Sequence, residues 1–293
     1  MRSLLFVPGD REKKLAKGLA SGADVLIVDL EDSISLERKA AARRIARDFL
    51  AARSIDASGG PKLFVRVNPL ASGMILDDLA AIVGARPDGI VLPKSAGGAD
   101  IVALSNYLSA LEARDGVGQG SIAILPIASE TAAAMFTFAS YAGSSARLAG
   151  ITWGCEDLAA DVGAAENRGS DGAYLEPFRL ARSLCLFAAA AAGVAAIDTV
   201  FTDFRDGAGL EADARAAERS GFTGKMVIHP AQVAIINRAF TPDDDAVAWA
   251  RKVVAAFAGD PAAGVIGLDG KMLDRPHLRA AERVLARAMP RTG

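Results

Sequence analysis

The chain has 293 residues, 51% of them hydrophobic and 23% charged, with a formal net charge of −2 at pH 7. That length and apolar content suit one large buried core with a short appendage, and the near-neutral balance excludes a global positive field for gripping nucleic acid. Met1 leads straight into a short strand-like run, Arg2 to Pro8, too quickly punctuated for a signal peptide. The Ala-rich stretch near 184–197 is interrupted by Gly193 and preceded by arginines, so it reads as a buried helix and not a membrane span. A soluble cytoplasmic protein is expected, with no membrane and no nucleic-acid partner. The two cysteines, Cys155 and Cys185, form neither a disulfide framework nor a metal-spaced cluster and are read as small packing residues.

In chain order, strand-like and helix-like runs alternate. A strand over 3–8 precedes a helix over 10–21; strands at 24–30, 62–68 and 88–93 precede helices at 35–53, 75–84 and 98–114. Strands at 121–127, 147–153, 197–202 and 225–229 are followed by helices at 129–141, 173–193, 208–220 and 230–239. Strands separated by helices make a parallel α/β sheet, and eight is the number that closes a (β/α)8 TIM barrel. The rival, an open doubly wound sheet, lacks its mark, since no Gly-rich dinucleotide fingerprint follows an early strand. Residues 1–240 are therefore expected to form the catalytic barrel. Beyond it, Thr241-Pro-Asp-Asp starts a helix running to about 258, Pro261 breaks the chain, and a Gly-punctuated segment leads to Asp269-Gly-Lys-Met-Leu-Asp274. A basic helix over 276–288 follows. This C-terminal helical extension, 241–293, is too small to stand alone and is expected to pack on its own or a neighbouring barrel.

Chemistry-bearing residues gather at the ends of the strands, where barrel enzymes place their active sites. Glu130 in Ile127-Ala-Ser-Glu130 and Asp157 in Gly154-Cys-Glu-Asp157 each follow an apolar run, and two such carboxylates can hold one hard metal ion. The competing reading of Glu130 is an acid early in a helix, favoured by the dipole; Glu156, beside Asp157, is expected to point elsewhere. Asp29, Glu31 and Asp32 put three acids into four positions, a density that calls for a nearby cation. Asp32 or Ser33 could instead cap the helix that starts near Ser35. Arg66, flanked by Val65 and Val67 on a buried strand, needs a partner or a function. Its planar fork suits a carboxylate or a developing enolate oxygen. Lys13 and Lys17 share one face of the first helix, either as a solvated basic face or as point charges for phosphate. Locally, Asp274 before Pro276 reads only as an acid at a helix start.

Taken together, Arg2-Ser-Leu-Leu-Phe-Val-Pro-Gly9, Asp29-Leu-Glu-Asp32, Val65-Arg-Val-Asn68, Leu92-Pro-Lys94, Glu130, Gly154-Cys-Glu-Asp157, Gly221-Phe-Thr-Gly-Lys225, Ile228-His-Pro230 with Gln232, and Asp269-Gly-Lys-Met-Leu-Asp274 carry a resemblance spanning almost the whole chain. The sequence resembles the citrate lyase β-subunit-like group of the HpcH/HpaI aldolase superfamily, which includes malyl-CoA and citramalyl-CoA lyases. That resemblance implies a (β/α)8 barrel, a Mg2+ ion on Glu130 and Asp157, a CoA-thioester substrate and a homo-oligomer, a trimer or a hexamer of trimers. It further implies that Glu31 and Asp32 hold metal-bound waters and orient Arg66, that Lys13 and Lys17 contact the CoA, and that backbone near Ile228 and His229 lines the CoA channel. His229 has a competing structural role beside Pro230. Asp274 is implied to enter the active site of an adjacent subunit and to exchange a proton with the acetyl methyl carbon.

The reaction implied is retro-Claisen cleavage of a 3-hydroxyacyl-CoA, with Arg66, Asp274, Glu31 and Asp32 as catalytic residues. Three other readings stay open: a malyl-CoA thioesterase, a citrate lyase β subunit acting on an acyl-carrier thioester, and a CoA-independent class II aldolase. The last usually relies on a histidine base after the second strand, and Asp29-Leu-Glu-Asp32 has none. A noncatalytic scaffold is the remaining possibility.

Overall fold

A computed structural model describes residues 1–53 and 60–288. The chain divides into two compact units, Met1–Asn237 and Arg238–Gly293. In the first, eight strands, β1 (Ser3–Pro8), β2 (Val25–Asp29), β3 (Lys62–Arg66), β4 (Gly89–Leu92), β5 (Ala123–Pro126), β6 (Gly150–Thr152), β7 (Ala195–Asp198) and β8 (Gly224–Val227), lie in the order β5-β4-β3-β2-β1-β8-β7-β6. All their pairings are parallel. Isolated parallel bridges, Ile124 to Leu148 and Ile127 to Thr152, join β5 to β6, so the sheet curls into a nearly closed barrel.

Period-two alternation decides what fills the barrel. Leu4, Val25, Ile27, Phe64, Val91, Leu125, Ile127, Ile197 and Met226 make one buried cluster, each large side chain worth about 1.5–3 kcal/mol on burial. Intervening residues such as Leu5, Leu26 and Val28 are equally buried, because helices cover the outer face and leave the strands apolar on both sides. Gly89 makes room within the ring: a Cβ there would meet the Phe64 ring at 2.6 Å.

The covering helices are α1 (Glu12–Leu19), α2 (Lys39–Ala51), α3 (Ile75–Ile82), α4 (Gly98–Asp115), α5 (Cys155–Asp161), α6 (Glu176–Ala192), α7 (Gly207–Ser220) and α8 (Pro230–Ala239). In α2 the buried positions Ala42, Ala46 and Leu50 recur every four residues, the spacing of one helix face. The short β5–β6 seam is reinforced from outside. Arg147, just before β6, grips Glu112 of α4 with both terminal nitrogens at 2.7 and 2.6 Å and also donates to the Ile122 carbonyl at 3.1 Å.

Three expectations change. The helix expected over 129–141 is two 3-10 turns, Ala133–Phe136 and Phe138–Tyr141. Thr131 and Thr137 explain it, since the Thr131 hydroxyl accepts from the Ala134 N–H and the Thr137 hydroxyl donates to the Ala134 carbonyl, local bonds that compete with a helical ladder. Strand β7 starts at Ala195 and ends at Asp198, earlier than 197–202, because the left-handed Gly193 ends α6 abruptly and the chain enters the sheet at once. A further short helix, α5, occupies part of the interval before the expected 173–193 helix, which itself begins at Glu176.

The second unit comprises α9 (Asp244–Gly259), β9 (Val265–Leu268), β10 (Lys271–Asp274) and α10 (Arg275–Ala288). The Gly-punctuated segment is thus an antiparallel hairpin. Its corner, Asp269-Gly270, has φ of 47° and 75°, which a two-residue turn between twisted strands requires. Asp243 caps α9 by accepting from the Ala246 N–H at 2.7 Å, and Ala250, Val253, Phe257, Leu273 and Ala281 form this unit's own core.

Candidate active site

A cavity of about 460 Å³ opens at the carboxyl ends of the strands. Phe6, Pro8, Asp29, Asp32, Arg66, Glu130, Trp153, Asp157 and Ile228 are among its lining residues, so Arg66, Asp32, Glu130, Asp157 and Ile228 share one cavity. Arg66 ends β3 beside Asp29, its register partner at the end of β2. The guanidinium is held bidentately, Nε to Asp29 Oδ1 at 2.7 Å and Nη2 to Asp29 Oδ2 at 2.8 Å. Nη1 lies 2.9 Å from Glu31 Oε2 and 3.7 Å from Asp32 Oδ2.

Asp29 is therefore the main clamp on Arg66, a role expected of Glu31 and Asp32, because the parallel register sets the two strand-end side chains abreast. Asp29 also accepts from the Glu31 and Ser33 backbone N–H groups. Burial alone would raise its carboxyl, but these bonds and the guanidinium outweigh it and hold the acid below its ordinary range. Neither Asp32 nor Ser33 caps the following helical turn, whose N-terminal Ser35 receives no side-chain cap.

Glu130 lies in a bend and not early in a helix, so a helix dipole does not account for it. Burial, first, and then the nearby Asp157 and Glu31 push its carboxyl up to about 8, despite the Lys94 N–H that it accepts. Asp157 sits in the first turn of α5, more exposed. Gly154 shapes the space between the two elements, since a Cβ on it would meet Glu130 Cγ at 2.8 Å. Glu156, expected to point elsewhere, also lines the cavity, while its Oε1 accepts from Asn167 at 2.9 Å.

Lys94 is the residue that sequence reasoning left without a role, although Leu92-Pro-Lys94 stood among the matching stretches. Its Nζ lies 2.7 Å from Glu31 Oε1, 3.5 Å from Asp157 Oδ1 and 3.8 Å from Asp32 Oδ2. Glu31, nearly buried, carries a raised pKa caused first by desolvation, with Arg66 and Lys94 opposing. Its Oε2 accepts no hydrogen bond among the described residues.

Lys13 and Lys17 are exposed on α1 and do not line the cavity. The Ile228 and His229 N–H groups both donate to Gln232 Oε1, at 3.1 and 3.2 Å. The His229 ring stacks on Phe204 at 4.7 Å, and its Nδ1 accepts from the Ala231 N–H, the structural role weighed for it. Asp274 belongs to the second unit, at the end of β10, with Oδ1 2.5 Å from His277 Nδ1. It accepts weakly from the His277 N–H at the start of α10.

Cys155 and Cys185 are buried and unbridged. Beneath the cavity wall, Asp198 accepts from Trp153 Nε1 at 2.8 Å and from Arg182 and the fully buried Lys225. Desolvation would raise this acid, but Lys225 and Arg182 win and hold it down to about 2. Among the described residues, no helix is long and apolar enough to cross a membrane.

A parallel barrel with an acidic, arginine-bearing pocket at its carboxyl rim is the frame of an enzyme, and comparison with known proteins specifies a carbon–carbon lyase. The family description HpcH/HpaI aldolase/citrate lyase matches residues 2–230, and that of a C–C bond lyase of the TIM-barrel fold matches residues 180–290. A citrate lyase subunit β-like protein of Mycobacterium tuberculosis is 36% identical over 286 residues, covering 97% of this chain and 94% of its own. A (3S)-malyl-CoA thioesterase of Cereibacter sphaeroides is 34% identical, covering 98% and 94%. The crystal structure of CitE from Mycobacterium tuberculosis in complex with magnesium, acetoacetate and coenzyme A superposes with a TM-score of 0.77 at 34% identity, covering 98% of this chain and 97% of the other. The chain belongs to the HpcH/HpaI aldolase/citrate lyase family.

Proposed function

We propose that this protein is a Mg2+-dependent lyase that cleaves, or in reverse condenses, a 3-hydroxyacyl-CoA such as malyl-CoA, citramalyl-CoA or citryl-CoA, giving a 2-oxo acid and acetyl-CoA. The observation that carries the reading is the convergence of Glu130, Asp157 and Arg66 on one cavity at the strand ends. The CitE complex, with magnesium, acetoacetate and coenzyme A bound together, supports it.

The residues present fit a hard divalent cation. The donors are all carboxylates, the set that Mg2+ accepts alongside waters. Arg66 is held by Asp29 and also pairs with Glu31, while Glu31, Asp32 and Asp157 gather round the Lys94 ammonium and Glu130 accepts from the Lys94 backbone N–H. Burial, and then the neighbouring Asp157 and Glu31, push the Glu130 carboxyl up, while Glu31 is itself paired with Arg66 at 2.9 Å and with Lys94 at 2.7 Å. Glu130 and Asp157 would hold the ion, with Glu31 and Asp32 next to it. Bound there, Mg2+ would supply Lewis acidity, lowering the pKa of the substrate's hydroxyl so that its proton can pass to water.

The protein's own groups do the rest. Arg66, fixed by Asp29, presents a positive charge to oxyanion character developing as the carbon–carbon bond breaks. Cleavage leaves the 2-oxo acid and a thioester enolate, and protonated Asp274 delivers its proton to the enolate carbon; in condensation the same carboxylate is the base. Asp274 fills this role from its own or a neighbouring subunit of a trimer or hexamer. Lys13 and Lys17, exposed on the helix that leaves β1, would meet CoA phosphates as point charges, while Ile228 lines the cavity itself. Two buried, unbridged thiols are in keeping with a cytoplasmic setting.

Thioester hydrolysis is the second reading, favoured by the malyl-CoA thioesterase similarity. The direct test of the site is Asp157→Ala and Glu130→Gln in a cleavage assay with added Mg2+. Both are expected to lose metal-dependent turnover while keeping the wild-type far-UV circular dichroism. Unchanged turnover in either refutes the metal assignment.

A further inference from the structure

Lys94 is placed unlike any other cation of the site. It leaves β4 with a φ of 50°, a left-handed conformation uncommon outside glycine. That conformation lets one residue act in two directions. Its backbone N–H reaches the Glu130 carboxylate, while its ammonium turns to Glu31 at 2.7 Å, Asp157 at 3.5 Å and Asp32 at 3.8 Å. Arg66 shares this load, with Nε and Nη2 held by Asp29 and Nη1 2.9 Å from Glu31 and 3.7 Å from Asp32, but among the described residues Asp157 has Lys94 as its paired cation. Without the ammonium, the acids that border the cavity would repel one another in a half-buried, low-dielectric setting.

We infer that Lys94 is a resident counter-cation: it holds Glu31, Asp32 and Asp157 together and competes with the divalent ion for them, so that it weakens metal binding to the free protein. The inference rests on reading Glu130 and Asp157 as the metal's ligands and adds to it a positioning residue that sets affinity. A point charge on a flexible stem suits this role, because it can neutralise several acids without fixed geometry and yield as a stronger cation arrives. An anionic substrate supplies the missing negative charge, so the ion is bound more tightly with substrate than alone. Lys94 thereby couples metal occupancy to substrate.

The sign of the effect separates this from a scaffolding role. If Lys94 merely props up the ligands, neutralising it weakens metal binding; if it competes, neutralising it strengthens binding. The experiment is Mn2+ titration of the full chain, followed by electron paramagnetic resonance of free ion, for wild type, Lys94→Met, Lys94→Gln, Lys94→Arg and Asp157→Ala. Methionine and glutamine keep the backbone donor to Glu130, and two neutral variants guard against one failing to fold. The expected result is Mn2+ affinity raised roughly tenfold or more in both neutral variants, near wild type in Lys94→Arg, and lost in Asp157→Ala. The neutral variants should also melt earlier in chelator and regain more stability on adding Mg2+ than wild type does. Equal or weaker Mn2+ binding in both neutral variants, with Asp157→Ala still abolishing it, overturns the counter-cation role and leaves the metal site standing. Wild-type binding undiminished by Asp157→Ala overturns the metal reading and this inference with it.

Discussion

The chemistry turns on how few atoms separate the site's charges. Gly154 is a case in which a missing methyl group positions a ligand. Its φ and ψ, −119° and 112°, are open to any residue, so the constraint is the 2.8 Å approach of a Cβ to Glu130. Gly154→Ala is therefore expected to fold but to displace Glu130, lowering metal-dependent kcat/KM by about 10–100-fold and raising the Mg2+ needed for half-maximal rate; a wild-type Mg2+ dependence counts against Glu130 as a ligand. At this scale the sequence was informative where residue type alone is unusual. An arginine between valines on a buried strand and acids just past apolar runs stand out without coordinates. The grip of Asp29 on Arg66 depends on β2–β3 register, and the reach of Lys94 depends on a left-handed backbone at a non-glycine residue, neither of which a pattern of residue types encodes.

At the scale of elements, the barrel depends on buried ion pairs where hydrogen bonding is thin. The seam between β5 and β6 rests on isolated bridges, and the buried Arg147–Glu112 pair braces it from the helical layer outside. Arg147→Met leaves Glu112 without its cation and should cost about 3–5 kcal/mol of unfolding free energy, whereas the double change with Glu112→Leu should recover much of the loss. Additive effects in urea titrations would dissociate the two residues. Asp198 gives a pH signature. Its pKa is depressed to about 2 from an ordinary 3.8, so its contribution is present above about pH 4 and is lost as pH falls towards 2. That pH-dependent part, about 2 kcal/mol, should be absent from Asp198→Asn when stability is compared across the same range. Strands were legible because parallel, doubly covered strands are short continuous apolar runs. The 129–141 segment was not, because threonine hydroxyls divert its backbone into 3-10 turns, and β7 was shifted because Ala195-Ala196 gives no strand signal of its own.

For the whole molecule, the (β/α)8 frame was readable from the count of alternating runs, whereas the β9–β10 hairpin was hidden by four-residue strands, although its Asp-Gly corner was in plain view. That hairpin ends in Asp274, the residue through which the second unit enters the proposed reaction. Asp274→Asn should keep CoA-ester affinity and lose turnover by about 10²–10⁴-fold. Mixing it with Glu130→Gln under subunit exchange should restore part of the activity if Asp274 serves a neighbouring barrel, and none if it serves its own.

The most direct measurement is a Mg2+-dependent assay of the purified protein with malyl-CoA, citramalyl-CoA and citryl-CoA, quantifying acetyl-CoA, 2-oxo acid and free CoA together. Equal amounts of acetyl-CoA and a 2-oxo acid from at least one ester, abolished by chelator, are predicted. Free CoA with an intact hydroxy acid, or cleavage indifferent to chelator, contradicts the account.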